Sequence, residues 1–226
     1  MITALVSQKG GSSKSTLAVS IAWELMARGA KVLLVDTDPQ KTVSDVGAIA
    51  GSTGQKSPTI VAMGEKLYLP DQLPRLAQAF DHVIIDTPGR SGAIQNAALL
   101  ASDVALIPVG QSAAEVWAVS GTLEIVNHAR DLKATYGQVL KTALVVTRKM
   151  PRTTLGKAVR DTLKESGMRT FTAETSLRVA WQTCLGAGQG VAQFAPKDEA
   201  AKELRALVDE LLAFAAETTH QEVANG

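Results

Sequence analysis

The apolar run Ile2-Thr3-Ala4-Leu5-Val6 leads directly into Lys9-Gly10-Gly11-Ser12-Ser13-Lys14-Ser15-Thr16, and this junction constrains the fold more than any other feature. A buried strand, a loop of small residues and a helix opened by Lys-Ser make an arrangement that holds a nucleoside triphosphate. Glycines let the backbone close so that consecutive N–H groups face phosphate oxygens. Lys14 is positioned to reach the β- and γ-phosphates, and the Ser15 hydroxyl to ligate Mg²⁺. The helix N-terminus adds its own partial positive charge. Gly10, Gly11, Ser12, Ser13 and Thr16 complete the loop. The strict pattern G-x-x-x-x-G-K-[ST] is not met, because Gln8 and Ser13 occupy its glycine positions and a second lysine, Lys9, precedes the Gly-Gly pair. Taken alone, the segment is also compatible with a plain Gly/Ser turn.

Two further motifs narrow the choice. Leu33-Leu34-Val35-Asp36-Thr37-Asp38-Pro39-Gln40 sets two carboxylates just past a second apolar run. Carboxylates there can hold a magnesium shell or polarise an attacking water, or they can cap the helix that follows. Val83-Ile84-Ile85-Asp86-Thr87-Pro88-Gly89 is an apolar strand ending in Asp, the form of an element that holds Mg²⁺ through water. Asp86 to Gly89 also reads D-x-x-G, so the Gly89 N–H is a candidate γ-phosphate sensor. The metal candidates are therefore Ser15, Asp38 and Asp86.

Strand-like runs recur at Ile2–Val6, Lys31–Val35, Thr59–Met63, His82–Ile85, Val104–Val109, Thr142–Thr147 and Arg169–Thr172. They are rich in Val, Ile and Leu without clean alternation, as in strands covered on both faces. Helical patterns lie between and after them, at Leu17–Arg28, Leu73–Phe80, Ala93–Ala101, Ala114–Ala134, Leu155–Ser166, Leu177–Leu185 and Glu199–Ala215. This alternation predicts an α/β fold: a single domain with a doubly wound, mostly parallel sheet flanked by helices. Ligands of such sheets bind outside the carboxyl ends of the strands, where all three motifs fall. Gly47–Pro58 is expected to be a surface loop. Residues 1–216 are assigned to one ATPase-type domain and 217–226 to a flexible tail, with no separate domain ahead of the phosphate loop.

Three phosphate-site motifs in this order resemble the ParA/MinD family of deviant phosphate-loop ATPases, and beyond that the small plasmid-partition ATPases of the ParF type. The resemblance implies ATP and Mg²⁺ as cofactors and weak hydrolysis until a partner stimulates it. It gives Asp38 the role of promoting hydrolysis within a first switch segment. It gives Lys9 a reach across an ATP-bound homodimer to the partner subunit's phosphates, so that Lys9, Lys14 and Asp38 are the catalytic candidates. Leu144-Val145-Val146-Thr147-Arg148-Lys149 is similar to the family's adenine-side strand and loop, which makes Arg148 a nucleotide-binding candidate. Ile107-Pro108-Val109 is similar to a segment near the dimer interface. Two positions depart from the family pattern. Gly89 stands where a second proline is common. Ser13 replaces a glycine, which costs little at negative φ and more at positive φ.

The net charge of +1 hides an uneven distribution. Residues 1–147 hold twelve Lys/Arg against twelve Asp/Glu, 148–178 hold eight against three, and 179–226 hold three against seven. Within the basic segment Lys157, Arg160 and Lys164 fall on one helix face. A charged face is often only a solvated one. The resemblance favours non-specific DNA, held through phosphates by Arg152, Lys157, Arg160, Lys164 and Arg178. It also implies a ParB-like or other cargo-bound activator protein. The single cysteine, Cys184, excludes an intramolecular disulfide and an iron–sulfur site built on cysteine pairs. With no long apolar span, no signal-peptide pattern and an acidic last helix, the expectation is a cytoplasmic protein, nucleoid-associated when ATP-bound and without a membrane partner. The resemblance leads to a DNA-segregation ATPase. An ATPase positioning a protein cargo, a nucleotide-dependent scaffold that hydrolyses weakly and a metabolic enzyme of the same superclass stay open beside it.

Overall fold

Seven parallel strands form one sheet in the order β3-β2-β4-β1-β5-β6-β7. In chain order they are β1 (Ile2–Leu5), β2 (Val32–Asp36), β3 (Thr59–Ala62), β4 (His82–Asp86), β5 (Val104–Val109), β6 (Lys141–Val146) and β7 (Arg169–Thr170). The computed structural model describes residues 1–63, 69–90, 92–150, 163 and 167–217. The expected helix Leu155–Ser166 lies outside the described residues apart from Leu163, which is buried; the tail from residue 218 onward also lies outside them.

The strands read as continuous apolar runs because both faces are covered. Along β2, Val32 and Leu34 join one core layer, while Leu33 and Val35 join the other. β5 divides the same way, with Val104 and Leu106 on one side and Ala105, Ile107 and Val109 on the other. The first layer is closed by α1 (Lys14–Ala27), α2 (Thr42–Ser52), α6 (Val179–Thr183), α7 (Val191–Phe194) and α8 (Glu199–Ala216). The second is closed by α3 (Leu69–Ala77), α4 (Gly92–Ala101) and α5 (Ala113–Thr135). On α8, Leu204, Leu207, Val208 and Leu211 are fully buried, so its apolar stripe is core.

Helix α2 corrects the expected loop at Gly47–Pro58, since the chain is helical as far as Ser52. Glycine lowers helix propensity, but packing selects it at position 47. A Cβ there would lie 2.5 Å from the terminal Cδ1 of Ile60 on β3, so Gly47 leaves room for that side chain in its present rotamer between the helix and the sheet edge. The start of α2 is secured by Asp36, whose Oδ2 accepts from the Ser44 amide at 2.8 Å and the Ser44 hydroxyl at 2.6 Å. α1 begins at Lys14 rather than Leu17, which places Lys14 and Ser15 in its first turn.

Candidate functional site

All strands are parallel, so their carboxyl ends share one rim, and a cavity of about 830 Å³ opens there. Its floor is the phosphate loop from Gly10 to Leu17. The loop achieves its curl with left-handed backbone at Gly11 (φ 73°) and Ser13 (φ 71°). Ser13 is the N-cap of α1, and its hydroxyl makes no capping hydrogen bond. The first amides of α1 therefore keep their capacity for an acceptor supplied by a ligand. Among the described residues, the non-glycine positions with positive φ are Ser13, Lys41 and Arg148. Ser13 and Arg148 line the cavity, and Lys41 lies between Gln40 and Thr42, which also line it. Backbone strain thus concentrates at this rim.

Lys14 is buried, and its Nζ donates to the Lys9 carbonyl at 3.3 Å and the Ser12 hydroxyl at 3.5 Å. Burial pulls its pKa down, and Asp86 and Asp38 pull it back up. Asp86 sits beneath the floor, in register with Leu5 of β1 and Asp36 of β2. Burial pushes its carboxyl up to about 7, against the opposing pull of the Ser15 hydroxyl and the Lys14 ammonium. The Ser15 hydroxyl is near enough to act on it, yet neither carboxylate oxygen closes a hydrogen bond of ordinary geometry among the described residues. A fully buried carboxylate left this way, beside a serine hydroxyl, fits a hydrated Mg²⁺, which takes few protein oxygens and keeps its waters.

The two carboxylates after β2 separate in role. Asp36 is buried and occupied, holding Ser44 with one oxygen and the Asp38 amide at 3.2 Å with the other. Asp38 is half-buried on the cavity wall, with Oδ1 accepting from the Gln40 amide at 2.9 Å. Of the two roles open to this pair from sequence, Asp36 takes the capping one, and Asp38 is the carboxylate that lines the cavity. Gly89 lies against the loop itself. A Cβ there would stand 3.1 Å from the Gly10 amide nitrogen and 3.2 Å from Gly10 Cα. Gln95, which has no sequence signature, is buried under this contact. Its Nε2 donates to the Pro88 carbonyl at 2.7 Å and the Ser7 carbonyl at 3.0 Å.

The cavity gathers Gly10 to Thr16, Asp38, Gly89 and Arg148, but not the Lys9 side chain. Lys9 lines a separate small recess with Pro108, Glu115 and Thr122. Beyond the phosphate loop and the segments at 38–42 and 88–90, the cavity is walled by Arg148, Thr175, Ser176, Leu177, Arg178, Trp181 and Leu185, all from the chain after β6, which form its far wall. Arg148 pairs with Glu115, the residue that completes the capping box of α5 with Ser112. Trp181 and its neighbours are the main residues that sequence reasoning missed. The one available signal was an apolar helix pattern, Leu177–Leu185, which by itself indicates only core. Arg178, grouped by sequence with DNA-facing residues, is on this wall and pairs with Glu203 at 2.8 Å. Arg152, Lys157, Arg160 and Lys164 lie outside the described residues. No helix among the described residues is long and apolar enough to cross a membrane.

Comparison with known proteins agrees with this geometry. The profile of the CobQ/CobB/MinD/ParA nucleotide binding domain matches residues 3–178. Over 216 residues the chain is 30% identical to maintenance of carboxysome distribution protein A of Halothiobacillus neapolitanus, covering 92% of this chain and 95% of that one. It is 27% identical over 238 residues to the chromosome-partitioning ATPase Soj of Thermus thermophilus, covering 93% and 94% of the two chains. A solved complex of a McdA variant from Cyanothece with ATP shares the fold, with a TM-score of 0.75 at 20% identity over 94% of this chain and 96% of that one. With the profile spanning more than three quarters of its length and its motif residues assembled around one cavity, the chain belongs to the CobQ/CobB/MinD/ParA family and carries that family's nucleotide-binding domain.

Proposed function

We propose that this chain is a ParA-like segregation ATPase that binds ATP with Mg²⁺, forms a sandwich homodimer on non-specific DNA, and is released when a partner stimulates hydrolysis. The observation that carries this reading is the cavity floor, where Lys14 and Ser15 open α1 above a buried Asp86 whose oxygens close no ordinary hydrogen bond among the described residues. Ser15 directly, with Asp38 and Asp86 through the hydration shell, are the residues that would hold Mg²⁺. When bound, the ion neutralises phosphate charge. Lys14 supplies a fixed cation to the β- and γ-phosphates. Asp38 faces the cavity and orients the attacking water. The Gly89 amide reports whether a γ-phosphate is present. Arg148 lies beside the nucleoside.

The position of Lys9 supports a role towards a second subunit. Its side chain does not line its own cavity, yet its backbone is part of the loop. A lysine so placed stabilises a dimer best when a triphosphate faces it, which links ATP to dimerisation. The local excess of basic residues between 148 and 178 supports DNA as the surface on which the dimer assembles. In this reading the protein is cytoplasmic, gathers on the nucleoid when ATP-bound, and responds to a ParB-like or other cargo-bound activator. A second reading, with a protein assembly as cargo, is favoured by the 30% identity to a protein named for carboxysome distribution. Both readings use the same site chemistry and differ in the activator.

The test is binding to random-sequence duplex DNA without nucleotide, with ADP, and with ATP–Mg²⁺, each at two salt concentrations. Binding confined to ATP–Mg²⁺ that weakens with salt is the expected result. Absence of DNA binding in every state overturns the DNA-based switch.

A further inference from the structure

Behind the far wall of the cavity, and outside its lining, stands Glu203 of α8. Its carboxylate accepts from the Ser176 amide at 3.0 Å, Arg178 Nε at 2.9 Å and the Trp181 indole Nε1 at 3.2 Å. Arg178 Nη2, at 2.8 Å, completes the ion pair. Ser176, Arg178 and Trp181 all face the cavity. Burial pushes the Glu203 carboxyl up, but the hydrogen bonds from Arg178, Ser176 and Trp181 outweigh it and hold the group below the ordinary range. It is therefore an anion at neutral pH, and one side chain on the last helix fixes three residues of the wall.

The arrangement also has an electrostatic effect. The cavity lining carries four cations: Lys14 of the phosphate loop, Arg90 directly after Gly89, and Arg148 and Arg178 on the far wall. Both far-end guanidiniums are paired, with Glu115 and Glu203. A triphosphate is drawn to any desolvated, uncompensated cation. Pairing Arg148 and Arg178 takes these two out of the competition and leaves Lys14 and Arg90, both carried by the segments that meet at the Gly10–Gly89 contact. What remains on this wall is apolar: Leu177, which is exposed, Leu185, and the part of the largely buried Trp181 indole that reaches the cavity, a lining suited to a flat heterocycle.

We propose that Glu203 is the positioning residue for nucleobase recognition, holding Trp181 as the platform for the base and cancelling the charge of Arg178 so that the triphosphate enters in one orientation. The proposal rests on the nucleotide reading above. The experiment measures displacement of ribose-labelled fluorescent ADP from the full chain by ATP and by inorganic tripolyphosphate, each with Mg²⁺, for the wild type, E203Q and E203A. In the wild type, ATP displaces the probe at the lower concentration. E203A narrows that advantage tenfold or more, through weaker ATP binding together with a tripolyphosphate affinity equal to or above that of the wild type, because Arg178 is left unpaired. E203Q keeps the shape but not the charge and falls between the two; it decides the matter if E203A does not fold. An unchanged ratio overturns the proposal, as does an equal loss of both ligands, which marks a general fold defect. A wild-type chain that holds neither ligand overturns the nucleotide reading itself.

Discussion

The Thr37 hydroxyl donates to the backbone carbonyl of Asp86 at 2.6 Å, joining the segment that carries Asp38 to the strand that carries the buried carboxylate. The Thr37 amide reaches the same carbonyl at 3.1 Å, so the acceptor keeps one partner if the hydroxyl is removed. Thr37→Val should therefore cost about 1 kcal/mol of stability, the net value of one buried neutral hydrogen bond. Urea unfolding checks this, with Thr37→Ser expected to retain most of the stability. A valine variant as stable as the wild type would show that the bond contributes nothing to the junction.

Ser13 occupies left-handed backbone and its hydroxyl caps nothing, so Ser13→Gly removes strain without losing a hydrogen bond. The relief of about 1–2 kcal/mol is partly offset by the greater freedom of glycine in the unfolded chain. A net gain of roughly 0.5–1 kcal/mol is expected in thermal or urea unfolding. Ser13→Val, β-branched at the same φ, should move stability the other way.

Asp38 faces the cavity with its Oδ1 bound only to the Gln40 amide, whereas Asp36 is consumed in capping α2. Asp38→Ala should leave ATP binding intact and lower ATP turnover by on the order of 10²-fold, the scale for loss of a group that orients a reacting proton. Phosphate release alongside nucleotide binding separates the two effects. Asp36→Ala should act instead on stability, by freeing the start of α2.

Cys184 is fully buried, and burial pushes its thiol up to about 11 from an ordinary value of 9.0. In the native protein it should resist iodoacetamide at pH 8, reacting only once the chain is unfolded in urea. The sign of the linkage follows from the raised value. Below pH 9 both states keep the proton, and between about 9 and 11 only the folded state does. Stability should fall as pH rises through that interval, by at most about 2–3 kcal/mol from this group. Fast native alkylation would place the thiol at the surface.

The sheet is legible in the sequence because a strand buried on both faces must be apolar throughout, as Leu33, Leu34 and Val35 are. α2 is not legible, because Gly47 and Gly51 lower helix propensity and only the approach to Ile60 explains the first of them. The phosphate loop is legible in its position. The direction of the Lys9 side chain and the sign of φ at Ser13 are tertiary outcomes with no local code. The far wall is hidden for a different reason. Trp181 in sequence is one apolar residue of a helix, and its place opposite the loop depends on the chain returning through β7 and being held there by Glu203. Asp36 and Asp38 form a single motif in sequence, and only the hydrogen bonds of Ser44 show that one of them is structural.

The contact between Gly89 and Gly10 is made of main chain on both sides, with no side chain between to be compressed or rotated. Such a joint leaves little room: the Asp86–Gly89 turn lies directly against the phosphate loop, and a side chain at position 89 would push the two apart by a few tenths of an ångström. The constraint is one-sided: a methyl group at position 89 would stand against the Gly10 backbone, whereas a Cβ at Gly10 would meet nothing within 4 Å. Position 89, and not position 10, therefore sets how closely the Asp86–Gly89 turn and the phosphate loop can lie.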